Sequence, residues 1–199
     1  LEFLDSLPAK SPAELLAGET LRDLLAGHRE EIARLCRSNE ERRRIDAVID
    51  YVRTAMEGLR LPATFVHGDF VPQNLIFADS AEELEGVIDW EFGSTRSAAL
   101  IDYLQLVMSQ DRATRSVVFG EQVVECLHAG LQGSPLAWEV SGVAERLQLP
   151  TGRLRQLVML YWLHVTSRQA PFFHYRTFDR RWVSENVTAG LSAFAECQA

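Results

Sequence analysis

The chain predicts a mainly α fold (α+β), with a few short strands gathered near its middle and no large sheet. Two observations predict it. Most of the sequence repeats apolar residues at helical spacing between Gly and Pro punctuation. The runs rich in β-branched and aromatic residues, Thr64-Phe65-Val66, Leu75-Ile76-Phe77 and Val87-Ile88, are too short for helices and read as small buried strands. With 199 residues, 47% apolar and 24% charged, the chain can bury one sizeable core, so one folded unit is expected.

Ser11-Pro12-Ala13-Glu14 is a capping box with proline at the first helical position, so a helix is expected from Pro12. It carries Leu15, Leu16, Leu21, Leu24 and Leu25, is open to interruption at Gly18 and Thr20, and is ended by Gly27. The helical pattern resumes from Arg29 to Leu59 with Ile32, Leu35, Cys36, Ile45, Val48, Ile49, Val52 and Met56 on its apolar face. Ser38-Asn39-Glu40-Glu41 is a second capping signal inside that span, which predicts two helices with a bend near Asn39. The charged run Glu40 to Arg44 reads as a solvated helix face.

After the strands, Phe92 to Ser97 reads as a loop, followed by a helix carrying Leu100, Ile101, Leu104, Val107 and Met108. Further helices are expected over Arg112 to Leu131, Leu136 to Leu149, Thr151 to Arg168 and Arg181 to Cys197. The last two bracket an aromatic and basic stretch with Tyr161, Trp162, His164, Phe172, Phe173, His174, Tyr175, Phe178 and Trp182. Such rings suit either a quaternary-ammonium cage or, more commonly, core packing.

The chemistry concentrates between Phe65 and Glu91. His67 to Asn74 is a loop between the first two strands, loosened by Gly68 and stiffened by Pro72. Asp69, Asn74 and Asp89 all fall at the ends of apolar runs. Two carboxylates and an amide oxygen are the hard ligands that Mg²⁺ accepts while keeping most of its ligation from water and phosphates. A lone Asp-x-x-x-x-Asn is ordinary turn chemistry; two motifs in this order and strand context point to a metal-assisted site.

His67-x-Asp69-x-x-x-x-Asn74 followed by Ile88-Asp89-Trp90-Glu91 resembles the catalytic loop and metal-binding motif of the aminoglycoside phosphotransferase and choline kinase family, distant relatives of protein kinases. The resemblance implies a protein-kinase-like carboxy-terminal lobe, with helices packed around the catalytic loop. It implies that Asp69 receives or orients the acceptor hydroxyl, and that Asn74 and Asp89 hold Mg²⁺ against the phosphates of ATP or GTP. Asp102 resembles a residue that hydrogen-bonds the catalytic loop from below; its alternative is a surface carboxylate near a positive helix end. His67 reads as a hydrogen-bonded loop residue, because phosphoryl transfer depends on positioning and electrostatics more than on a strong base. Val71 and Gln73 depart from the pattern and leave the acceptor open.

Of the twenty basic residues only Lys10 is lysine, it lies between Pro8 and Pro12, and no Gly-x-Gly occurs. A kinase-like enzyme needs a strand lysine and a loop over the nucleotide phosphates. Residues 1–8 therefore read as a hinge remnant, with Glu2, Phe3 and Leu4 resembling the backbone that meets adenine, and residues 9–199 as the catalytic lobe. The expected partner is an amino-terminal nucleotide-binding lobe of the same protein; the alternative is an extended tail over Leu1 to Leu7.

A net charge of −8 argues against nucleic acid, which requires a basic stripe. Cys36, Cys126 and Cys197 are odd in number and widely spaced, which argues against a disulfide framework or zinc and for a cytoplasmic location. No run reaches membrane-spanning length and no signal peptide opens the chain. Asn186-Val187-Thr188 matches a glycosylation sequon by chance, inside a helix. The leading expectation is an ATP- or GTP-dependent phosphotransferase acting on a hydroxyl of a small molecule such as an aminoglycoside, sugar or amino alcohol. The alternative is a catalytically inactive kinase-like binding or regulatory module. A metal-dependent hydrolase would want more histidines or carboxylates.

Overall fold

In helix α1 (Gly18–Ala33), Leu21, Leu25, His28 and Ile32 recur on one face and are buried. That stripe overrides the expected stop at Gly27, whose side faces open space, and a helical glycine costs only about 1 kcal/mol. The computed structural model describes residues 4, 16–57, 59, 61, 63–79, 83–128, 137–174 and 180–198, so the expected start at Pro12 lies outside the described residues. The chain breaks between Arg34 and Ser38. Helix α2 (Asn39–Met56) then begins under its N-cap: Ser38 Oγ accepts from Glu41 N at 3.0 Å, and the Glu41 side chain reaches back one residue past the cap, Oε2 accepting from Arg37 N at 2.7 Å.

Among the described residues four short strands form two separate antiparallel pairs. β1 (Ala63–Val66) pairs with β4 (Ser94–Ala98), and β2 (Leu75–Phe77) pairs with β3 (Leu84–Val87). β4 replaces the loop expected over Phe92 to Ser97. Its polar residues carry no strand signal, and it forms because Ser97 and Ala98 register against Thr64 and Ala63. The second pair is also less buried than expected: Ile76 and Phe77 are 44% and 47% exposed, and Ile88, 48% exposed, falls beyond β3.

Helix α3 (Leu100–Arg115) ends at Ser116 in a left-handed conformation, and α4 (Phe119–His128) starts afresh, in place of the single helix expected over Arg112 to Leu131. α5 (Ala137–Arg146) follows. α6 (Leu154–His174) is the central element, buried all round from Leu157 to Leu163. It packs on α1, α2, α3 and α4 and continues past the expected end at Arg168. The chain closes with α7 (Arg180–Val183), a π-helical turn at Ser184–Thr188, and α8 (Ala189–Gln198) against α4.

The π turn is held by Asn186. Its amide oxygen accepts from Gly120 N at 2.8 Å, its amide nitrogen donates to Trp182 O at 2.9 Å, and its backbone oxygen accepts from Trp162 Nε1 at 2.8 Å. Any side chain on residue 120 would stand in the backbone at Glu185 and Asn186. Asn186 is thus a buried staple and not a glycan acceptor. Of the aromatic stretch, Tyr161, Trp162 and His164 are core residues, while Phe172 is exposed; Tyr175 and Phe178 lie outside the described residues. Among the described residues no helix is long and apolar enough to cross a membrane.

Candidate active site

β1 ends at Val66, and the chain then passes over the first turns of α3. The backbone N–H groups of His67 and Gly68 both donate to Asp102, at 2.7 and 2.8 Å. Asp102 is 1% exposed, so the surface alternative is excluded and the carboxylate lies beneath the loop. Burial pushes it up to about 6, against the pull of those two N–H groups and of the Arg168 charge.

Asp69 follows with both carboxylate oxygens engaged. Oδ2 accepts from Asn74 Nδ2 at 3.2 Å, the same nitrogen donates to Asp69 O at 2.9 Å, and Oδ1 accepts from Gln105 Nε2 at 3.1 Å. Pro72–Asn74 forms a single 3₁₀ turn that swings Asn74 back under Asp69. Its nitrogen is committed there, which leaves the amide oxygen as the atom able to meet a cation.

Asp89 is exposed and sits in a left-handed conformation (φ 63°), which Asp adopts more readily than most residues. The preceding residue ties it to the catalytic loop at two points: Ile88 N donates to Asn74 O at 3.0 Å, and His67 Nε2 donates to Ile88 O at 2.8 Å. His67 Nδ1 accepts from Asp69 N at 3.2 Å, which fixes the tautomer and leaves neither ring nitrogen free. Buried against Trp90 at 4.5 Å between ring centroids, His67 joins the two motifs and is not placed to carry a proton.

Arg168 of α6 closes the site from the other side. Its guanidinium lies 4.2 Å over the Phe92 ring and donates to Phe92 O at 2.5 Å, next to the backbone of Gly68. Burial lowers it to about 10, still cationic at neutral pH, while Asp69, Asp102 and Glu91 oppose the shift. Asp69, Gln105, Val165 and Arg168 are among the walls of a cavity of about 180 Å³. Of the expected hinge residues, Leu4 is buried in the core; Glu2 and Phe3 lie outside the described residues.

Sequence reasoning missed Gln105, Tyr161 and Arg168. Gln105 carried a signal, since it follows Asp102 by three positions and so shares its face of α3. Arg168 carried none, because its partners lie far away in the chain.

Compared with known families, residues 4–111 match the phosphotransferase enzyme family (APH), more than half of the chain. The chain belongs to this family. The matched span contains Asp69, Asn74, Asp89 and Asp102 and ends inside α3, so α4 to α8 lie outside the match. No curated protein and no solved structure matches the chain. Membership makes this a phosphotransferase-type chain of the aminoglycoside phosphotransferase and choline kinase-like kind.

Proposed function

We propose that this chain is the catalytic, kinase-like lobe of an enzyme that transfers phosphate from ATP or GTP to a hydroxyl of a small molecule. The observation that carries the reading is Asn74, whose nitrogen holds Asp69 while its oxygen stays available beside the strand leading to Asp89. One residue thus couples a hydroxyl-orienting carboxylate to a cation ligand. Asp69 orients the acceptor hydroxyl, and Asn74 with Asp89 holds Mg²⁺.

The residues fit that cation. Among the described residues no cluster of three or more His, Cys, Asp or Glu could hold a metal alone, and Mg²⁺ binds through one or two protein oxygens plus water and phosphates. Charge neutralisation on the phosphates is what bound Mg²⁺ supplies. The chain's own part is alignment: Asp102 supports the loop, His67 joins it to the Asp89 segment, and Asp69 faces the small cavity where the hydroxyl meets it. The nucleotide is gripped by an amino-terminal lobe of the same protein, since the one lysine, Lys10, lies between Pro8 and Pro12 and no Gly-x-Gly occurs in the sequence. Among the described residues Cys36, Cys126 and Cys197 form no disulfide, which supports a cytoplasmic setting.

The test is phosphate transfer by the full-length protein from Mg²⁺-ATP and Mg²⁺-GTP to a panel of amino sugars, sugars and amino alcohols. Mg²⁺-dependent transfer to at least one acceptor is expected, with negligible transfer by the 199-residue chain alone. Binding of nucleotide without transfer to any acceptor would favour the inactive binding module.

A further inference from the structure

A hydrogen-bond chain runs from the core to Asp69, and the proposed reaction has so far given it no role. Gln105 Nε2 donates to Asp69 Oδ1 at 3.1 Å, and the Tyr161 hydroxyl donates to Gln105 Oε1 at 2.5 Å. Tyr161 lies wholly buried on α6, edge-on to Phe119 at 5.7 Å between centroids. Gln105 is 6% exposed, so neither residue is a surface polar group that happens to find a neighbour.

The direction of the chain follows from its chemistry. An ionised carboxylate only accepts, so the nitrogen end of Gln105 has to face Asp69. That leaves Oε1 for a donor, and the Tyr161 hydroxyl supplies one. Burial pushes the phenol up to about 12, against the pull of the Arg112 cation, so the O–H donor is present at neutral pH. A half-turn of the amide would set its oxygen against the Asp69 carboxylate and forfeit the Tyr161 bond, so both ends favour one orientation. Asn74 holds the other carboxylate oxygen from a different element. With each oxygen anchored by a separate amide the carboxylate cannot rotate, and each oxygen keeps a lone pair for an acceptor.

We propose that Tyr161 and Gln105 are positioning residues that lock the plane of the Asp69 carboxylate, so that the acceptor hydroxyl meets it in one orientation. The inference rests on the phosphotransferase reading of Asp69. Misplacement of a reacting group by about 1 Å can cost on the order of 100-fold in rate, which sets the scale of the expected effects.

The test uses full-length protein with Gln105→Leu, the isosteric Gln105→Glu, Tyr161→Phe and the Gln105→Leu/Tyr161→Phe double variant. Gln105→Leu should lower kcat by roughly 10- to 100-fold with nucleotide KM within about threefold. Gln105→Glu keeps the shape but presents a carboxylate to Asp69, and should be at least as damaging. Tyr161→Phe should lower kcat less, and the double variant should be no worse than Gln105→Leu, because the two act in series. A near-normal Gln105→Glu, or kcat losses that multiply in the double variant, would overturn the relay. A urea-unfolding cycle on wild type, the two single variants Gln105→Leu and Tyr161→Phe, and their double variant gives a readout independent of turnover: coupling between positions 105 and 161 is expected, and its absence would equally overturn it. A wild type that transfers phosphate to no acceptor would instead end the phosphotransferase reading and leave the relay to be judged by that unfolding cycle.

Discussion

Arg168 stands where a side chain on residue 68 would have to go: a Cβ built there meets Arg168 Nη1 and lies 2.6 Å from Phe92 O. The loop that carries Asp69 and the segment after Asp89 are therefore both packed on one guanidinium, which also explains why the position before Asp69 is glycine. Gly68 has φ +77°, in the left-handed region as well.

Gly68→Ala should accordingly be more costly than an alanine that meets conformational strain alone. Gly18 provides the control, with φ +55° and nothing within 4 Å of the point where a Cβ would stand. Left-handed strain costs roughly 1–2 kcal/mol, so Gly18→Ala should lose about that in urea unfolding. Gly68→Ala should lose clearly more and should also depress phosphate transfer. Equal losses at the two positions would mean that the Arg168 contact does not constrain the loop.

Asp102→Asn should loosen the catalytic loop. The amide offers one acceptor oxygen where the carboxylate offers two, so the N–H of His67 or Gly68 is left facing an NH₂ group, and an unsatisfied buried donor costs about 1–3 kcal/mol. Faster hydrogen exchange at His67 and Gly68 is expected, together with lower turnover. The pH dependence has a definite sign. Because the folded carboxyl sits up at about 6, above the ordinary 3.8, the folded state holds more protons in that window. Stability from this group falls as pH rises from 3.8 towards 6, and Asp102→Asn should remove that slope.

His28 should contribute the opposite slope. Burial first, and then Arg168, lower it from 6.5 to about 4, and Ser167 Oγ lies 2.7 Å from its Nδ1. The unfolded state therefore binds the extra proton between those values. The stability is fully present above 6.5 and is lost as pH falls towards 4, by about 2 kcal/mol at pH 5. His28→Asn should be spared that loss, so the stability gap between wild type and variant should shift towards the variant on acidification. Urea unfolding at pH 8 and pH 5 checks this, and parallel behaviour of the two proteins would contradict it.

The sequence made the local features legible. Ser38 and Glu41 announced the start of α2, and the spacing from His67 to Asn74 and on to Asp89 marked the two motifs, because these signals are short-range and chemical. What it concealed depended on contacts between distant parts of the chain. The pairing of β4 with β1 is made by Ser94–Ala98, whose composition gives no strand preference. The continuation of α1 through Gly27 was decided by its buried stripe and not by propensity, and α3 stops at Ser116 in a left-handed cap that no glycine marks. In the site, Asp102 was visible as an acidic residue in a first turn, whereas Arg168 became part of it only when α6 folded against the loop.

Whether Asp69 orients the acceptor hydroxyl is tested by the turnover of full-length wild type and Asp69→Asn on an acceptor that the wild type phosphorylates. Asn is nearly isosteric and can still accept from Asn74 or Gln105, so folding and nucleotide binding should change little. A fall in kcat of roughly 10²–10⁴ is expected, the usual scale for a positioned acid or base. Equal turnover by the two proteins would contradict it.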